Sequence, residues 1–265
     1  MKPVSPGTQV FFIGAGPGDP ELLTLAGARI LHHCPTVYAF SPYDRTFAGL
    51  LAGKRVHDPF DHPLAELLAM VEEQLERGDV GFLVPGDLTF FSPFQVLIDA
   101  LGDRAEVVPG VGTVNAAAAF LKRTLNLSGC CNRTLMVSTR NPQKKEGVPG
   151  LEELAAPGVT LLIYMNHFPL PELVSKLYAG YGRNVPIALV HRLGFSGQKV
   201  LVGTLEDIET KADGYDFFTG RGSKGESSLT LVIVGETLTA PVNRDWWDER
   251  CAEDRRRPNH PETSA

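Results

Sequence analysis

Residues 11–24 read FFIGAGPGDPELLT: an apolar run that ends in Gly14, Gly16 and Gly18, with Pro17 and Asp19 between and after them, and then gives way to the leucine-rich ELLTLAGARILHHC. Aromatic and β-branched residues suit a pleated strand, and glycines suit a turn that needs left-handed backbone. The stretch is therefore predicted to be strand, tight turn and helix. The same alternation continues outward through TVYAF (36–40), PLAELLAMVEEQLERG (63–78), DVGFLVPGD (79–87), PFQVLIDALGDR (93–104) and AEVVPGV (105–111). Strands separated by helices of this length imply a doubly wound, largely parallel α/β sheet. Pro63 opens one of these helices and Gly78 is expected as its C-cap.

After the alanine-rich TVNAAAAFLKRTLN (113–126) the pattern restarts with TLMVSTR, VTLLIYMN, PLPELVSKLYAGYG, VPIALVHRL, QKVLVGTLEDIETKA and SLTLVIVGE. Two α/β domains are predicted, residues 1–111 and 112–240, with a cleft between them. Residues 241–265 are polar and end in proline-rich text, which reads as a flexible tail.

A chain of 265 residues with 43% hydrophobic side chains can bury one large core or two modest ones. A net charge of −6, with basic residues scattered, gives no extended electropositive face for nucleic acid, so a small-molecule partner is expected. The four cysteines, Cys34, Cys130, Cys131 and Cys251, have no metal-site or disulfide spacing, which suits a reducing cytosol. No signal peptide and no membrane-spanning run is read, so the expected location is cytoplasmic. His32, His33 and Cys34 follow one another on a helix, where neighbours point about 100° apart and cannot converge on one ion, so no metal is expected.

The first glycine motif is not a dinucleotide fingerprint. That pattern is G-x-G-x-x-G, and here the third glycine comes one place early, at Gly18, before Asp19. Pro17 lacks an N–H where a pyrophosphate would want donors. Where an acid should follow to hold the ribose, the chain reads VYAFSPY.

With its proline and acid, GAGPGDPELLT instead resembles the N-terminal signature of the tetrapyrrole methylases, and further motifs follow in that family's order. PGDLTFFSPFQ (85–95) resembles its G-D loop, and VVPGVGTVNAAAAFLKRTLNLSG (107–129) its segment into the second domain. TLMVSTR, LLIYMN, VPIALVHR, KVLVGTLEDI and SLTLVIVG resemble that second domain, so the likeness covers roughly residues 8–238. The branch that methylates precorrin-4 or cobalt-precorrin-4 at C11 is the nearest in look, through Leu88 and the LNLSG before a TLxVxTR strand. Three places depart from it: FLVP stands where an arginine and a histidine usually precede the G-D loop, YAFS stands for YAGS, and HRLGFS stands for YRASWP.

The resemblance implies an S-adenosylmethionine-dependent C-methyltransferase, a homodimer, acting on a corrin-pathway tetrapyrrole, with S-adenosylhomocysteine as product. It assigns Pro17 to the cleft floor and Gly86, Asp87 and Phe90 to the loop at the amino-acid end of the cofactor. It also assigns Gly112 and Thr113 after PGV, Met165 as an apolar contact, and Leu193 and Thr230 around the adenine. Asp87 has a second reading as N-cap of the next helix, and the apolar strand positions a second reading as core. A sulfonium already carries the activated methyl group, so no nucleophile–base pair is required and none is apparent. The substrate's carboxylates call for cations, and Arg140 and Arg192 are the candidates, with Lys144 and Lys145 in the loop TRNPQKKEG more simply read as solvated. His191 is read as a structural histidine rather than a proton carrier. Two other readings stay open. One is a methylase of this fold for another substrate: uroporphyrinogen III, precorrin-2, a modified histidine or an RNA nucleotide. The other is a cofactor-binding relative without catalysis.

Overall fold

The computed structural model describes residues 8–140, 147–218, 229–243 and 245–255. The first half runs β1 (Val10–Gly14), α1 (Leu25–His33), β2 (Thr36–Tyr38), α2 (Tyr43–Thr46), α3 (Ala48–Leu51), β3 (Arg55–His57), α4 (Leu64–Leu75), β4 (Val80–Val84), α5 (Gln95–Leu101) and β5 (Ala105–Val108). Its five strands form one sheet in the order β3-β2-β4-β1-β5, and every neighbouring pair is parallel.

Both faces of this sheet are covered, as an all-parallel sheet requires. Val10, Phe12, Phe82 and Val84 pack with Leu67 and Val71 of α4 and Leu97 and Leu101 of α5. Phe11, Ile13 and Leu83 pack on the other face with Leu31 of α1, Tyr43, Phe47 and Leu51. The helices that follow the adjacent strands β1 and β4 therefore lie on opposite faces. Where neighbouring strands send their chains to opposite sides, a crevice opens beyond their carboxyl ends. That crevice positions the site.

The second half runs α6 (Thr113–Leu121), β6 (Arg133–Ser138), α7 (Leu151–Leu154), β7 (Val159–Tyr164), α8 (Leu170–Tyr181), β8 (Pro186–His191), β9 (Lys199–Thr204), α9 (Ile208–Ala212), β10 (Thr230–Val234) and α10 (Asp245–Arg255). Its sheet has the order β6-β7-β10-β8-β9. Here only β6–β7 is parallel, and the β7–β10, β10–β8 and β8–β9 pairs are antiparallel. Parallel neighbours need a crossover of about a dozen residues or more, whereas the chain passes from His191 to Lys199 in one short turn. So the fold is α/β with one parallel and one mixed sheet. α8 covers one face through Leu173 and Leu177, and α6 meets the other through Ala117.

Two expected ends shift. The helix after Pro63 stops at Leu75, with Glu76 at its C-cap, so Gly78, at φ 137°, shapes the next turn instead. The segment read as a tail carries α10, in which no described residue is buried. Among the described residues no helix is long and apolar enough to cross a membrane.

Candidate active site

The site begins where β1 and β4 run out of parallel partners. Ala15 N–H still donates to Val84 O at 2.7 Å. One residue on, the strands exchange an antiparallel pair: Gly16 N–H to Gly86 O at 3.0 Å and Gly86 N–H to Gly16 O at 2.7 Å. Both glycines have left-handed backbone, φ 72° and 63°. The segment after β5 then crosses this junction at contact distance. A Cβ on Gly110 would lie 2.4 Å from Gly86 O, and one on Gly14 would lie 2.5 Å from Gly110 N. Three chain segments thus touch backbone to backbone, which only glycine permits.

Asp87 ties the junction together. Its Oδ1 accepts from Thr89 N–H at 2.8 Å and from the Thr89 hydroxyl, and its Oδ2 accepts from Gly110 N–H at 3.0 Å. Burial pushes this carboxyl up, but the hydrogen bonds from Thr89 and Gly110 outweigh it and hold it below the usual carboxylate range. The reading of Asp87 as a helix N-cap does not hold, because α5 starts only at Gln95, with Phe94 at its N-cap. Asp87 instead closes an Asx-type turn and fastens two loops.

Around the junction lies a cavity of about 410 Å³, walled by Gly86, Asp87 and Phe90 from one side and by Thr113, Met136 and Tyr164 from the other. That volume is within the range of small-molecule sites. The N-cap of α6 is Gly112, which offers no side-chain acceptor, so the first turn of this helix presents backbone N–H groups at the wall. Burial pushes the Tyr164 phenol up, by more than the nearby Val114 backbone lowers it. Among the described residues no lysine, arginine or histidine lines the cavity, and Asp87 is the one acid that does.

Residues 9–209 match the family of Tetrapyrrole (Corrin/Porphyrin) Methylases. The precorrin-4 C(11)-methyltransferase of Pseudomonas aeruginosa is 31% identical over 237 residues, which cover 87% of this chain and 91% of that one. The chain is a tetrapyrrole methylase. Its fold matches that of a cobalt precorrin-4 methyltransferase from cobalamin biosynthesis, with a TM-score of 0.71 at 23% identity, covering 88% of this chain and 96% of that one. It also resembles the uroporphyrin-III C-methyltransferase of Thermus thermophilus complexed with S-adenosylhomocysteine, with a TM-score of 0.62 at 26% identity, covering 87% and 98% of the two chains. As a tetrapyrrole methylase the chain is an S-adenosylmethionine-dependent methyltransferase.

The cavity of this methylase fits that cofactor. A ligand bearing an ammonium and a sulfonium suits a wall whose one charge is Asp87. Its carboxylate suits the first turn of α6, where backbone N–H groups and the helix dipole favour an anion. A carboxylate has about four acceptor positions, and three on Asp87 are used, so one on Oδ2 stays open toward a cation.

The methylase brings Gly86, Asp87, Phe90, Gly112 and Thr113 to one cavity. Pro17 is buried in the loop just after Gly16. Met165 follows Tyr164 at the end of β7 in left-handed conformation, φ 48°, and Leu193 is buried beside α6. Thr230 pairs with His191, two residues before Leu193, but its side chain lies on the other face of the sheet. Its hydroxyl donates to Phe217 O and so accepts from His191 Nδ1 at 2.7 Å, on the face of the second sheet that α8 covers. Burial, with Arg192 adding to it, lowers the His191 pKa and favours the neutral ring, and the Thr230 hydroxyl, already donating to Phe217 O, leaves Nδ1 as the donor between them.

Neither expected substrate arginine lines the cavity. Arg140 is exposed at the end of β6, and Arg192, at φ 51°, curls back so that its Nε donates to Ser196 O at 3.0 Å. Lys144 and Lys145 lie outside the described residues. The sequence reading missed Gly110 and Tyr164. Gly110 sat inside the quoted PGV and Tyr164 one place before Met165, but a close backbone approach and a wall shared between sheets leave no mark on local pattern.

Proposed function

We propose that this methylase transfers a methyl group to carbon 11 of precorrin-4 or cobalt-precorrin-4. The observation that carries the reading is the 31% identity to a precorrin-4 C(11)-methyltransferase across nearly the full length of both chains, joined to a cavity whose polar groups suit the methyl donor. When bound, the donor supplies a methyl group already activated on sulfur, and the tetrapyrrole supplies an electron-rich carbon. Transfer would break the C–S bond as the C–C bond forms, releasing S-adenosylhomocysteine and passing the sulfonium's positive charge to the tetrapyrrole, which sheds it as a proton to solvent. Asp87 and the first turn of α6 would hold the amino-acid end, with Phe90, Gly112 and Thr113 at the surrounding wall and Pro17 shaping the cleft floor. Met165, Leu193 and the backbone at Thr230 would take the adenosine end. Alignment and exclusion of water are then the protein's contribution, and no nucleophile of its own is needed. Arg140 and Arg192 would meet the substrate carboxylates from outside the cavity.

Two domains, meeting near Gly112, belong to the same reading, which the two separate sheets on either side of α6 support. The test is turnover with labelled S-adenosylmethionine on a panel of precorrin-4, cobalt-precorrin-4, precorrin-2 and uroporphyrinogen III, read by mass spectrometry. Label in a precorrin-4 product supports the reading. Label confined to uroporphyrinogen III or precorrin-2 would replace it with a methylase of an earlier tetrapyrrole.

A further inference from the structure

The turn between β8 and β9 belongs to the second sheet, yet Phe195 within it is 6% exposed and packs in the core of the first, with Ile13, Tyr43 and Val108. Its ring lies directly on Gly18, where a Cβ would fall 2.5 Å from the ring carbons. Its neighbour Gly194, at φ 82°, presses on Asp19, where a Cβ would fall 2.5 Å from the Asp19 nitrogen. The two loops interlock in both directions. Tyr43 stands edge-on to Phe195 at 5.1 Å between ring centroids, and its hydroxyl donates to Gly16 O at 3.0 Å. Gly16 is the residue that pairs with Gly86 at the cavity. Contacts therefore run without a break from a residue of the second sheet to the glycine junction of the first.

We propose that Phe195 is a positioning residue for methyl transfer, a buried pin that fixes the glycine loop of the first sheet against the second and so sets the span of the cleft. This rests on the methyl-transfer reading above. One wall of the cavity comes from the β4 and β5 ends, which the β1 end backs through the Gly16–Gly86 pair, and the other from α6, β6 and β7. A shift between them changes the distance and angle between donor and acceptor without altering either. In-line displacement is sensitive to such a shift, since about 1 Å of misplacement costs about a hundredfold in rate. Donor affinity, spread over several contacts on each side, falls less with such a shift than a rate that depends on one distance and one angle.

The experiment compares wild type with Phe195→Ala, Phe195→Leu and Gly194→Ala at a temperature where all are folded. It reads kcat on the tetrapyrrole at saturating donor, and S-adenosylhomocysteine affinity by calorimetry. Phe195→Ala is expected to lower kcat at least about tenfold while changing donor affinity less than about threefold, and Phe195→Leu to recover most of the loss. Should Phe195→Ala fail to fold, Gly194→Ala lifts the turn off Asp19 with the ring retained, and the same loss of kcat is expected. A lower melting temperature with kcat unchanged in the folded variants would make Phe195 purely structural and overturn the proposal. Absence of turnover in the wild type would sink the functional reading and the pin together, whereas wild-type turnover that survives intact in the variants would sink the pin alone.

Discussion

Asp87 has two oxygens and three protein donors, from Thr89 and Gly110, so its side chain is committed to the loops before any ligand arrives. Removing it should be felt twice. Asp87→Ala is expected to weaken S-adenosylhomocysteine by about 1.5–3 kcal/mol, the range for hydrogen bonds to a charged group. It should also lower stability, because Gly110 N–H and the Thr89 donors lose their acceptor. Calorimetry and urea unfolding on one purified variant check both; intact affinity with reduced stability would confine Asp87 to the loops. The carboxyl is held below its usual value of 3.8, so the folded state binds its proton less readily than the unfolded chain. Its stabilising effect is therefore present above that value and lost as pH falls through the folded one. Asp87→Asn should flatten the acid limb of a melting-temperature profile below about pH 4, and an unchanged limb would contradict this. The acid was legible in the sequence because a proline and a glycine precede it in a family-like order. Its partner Gly110 was not, since a contact from residue 87 to residue 110 has no local signature.

The glycine junction is a property of elements, made where the ends of β1, β4 and β5 meet. Gly110→Ala places a methyl group 2.4 Å from Gly86 O, so backbone must move. Overpacking of this kind costs about 1–3 kcal/mol or more. Gly102 is a suitable control, having positive φ, 56°, but nothing within 4 Å of an added Cβ. Gly110→Ala is expected to lose donor binding as well as stability, and Gly102→Ala to lose only stability; equal donor affinity in the two variants would contradict a ligand-side role for the junction. At this scale the sequence was legible wherever a strand is buried on both faces. Val10–Gly14 and Val80–Val84 are wholly buried and read as apolar runs. β3 was missed because Arg55–His57 is polar and largely exposed at the sheet's edge. The mixed second sheet was missed for another reason: helices between strands suggest parallel pairing, but β10 inserts between β7 and β8 and runs against both.

At the scale of the molecule, two sheets meet around a cavity that, among the described residues, carries an acid and no base. A polycarboxylate substrate must find its cations beyond that wall, and Arg140 and Arg192 stand at the ends of β6 and β8. Arg192→Ala and Arg140→Ala are each expected to lower turnover on the tetrapyrrole at unchanged S-adenosylhomocysteine affinity, because Arg pairs with carboxylates in bidentate geometry. Full activity in both variants would move substrate recognition elsewhere. Their placement also marks the limit of the sequence reading, which assigned a donor site by motif but had no motif for the substrate side, where FLVP, YAFS and HRLGFS differ from the family's usual text. The central claim is the bond that forms, and it is tested most directly by incubating the methylase with precorrin-4 or cobalt-precorrin-4 and S-adenosylmethionine labelled with carbon-13 in its methyl group, then locating the label by NMR. A single new methyl resonance attached to carbon 11 is the expected result, and label at another ring carbon, or none in any product, would contradict it.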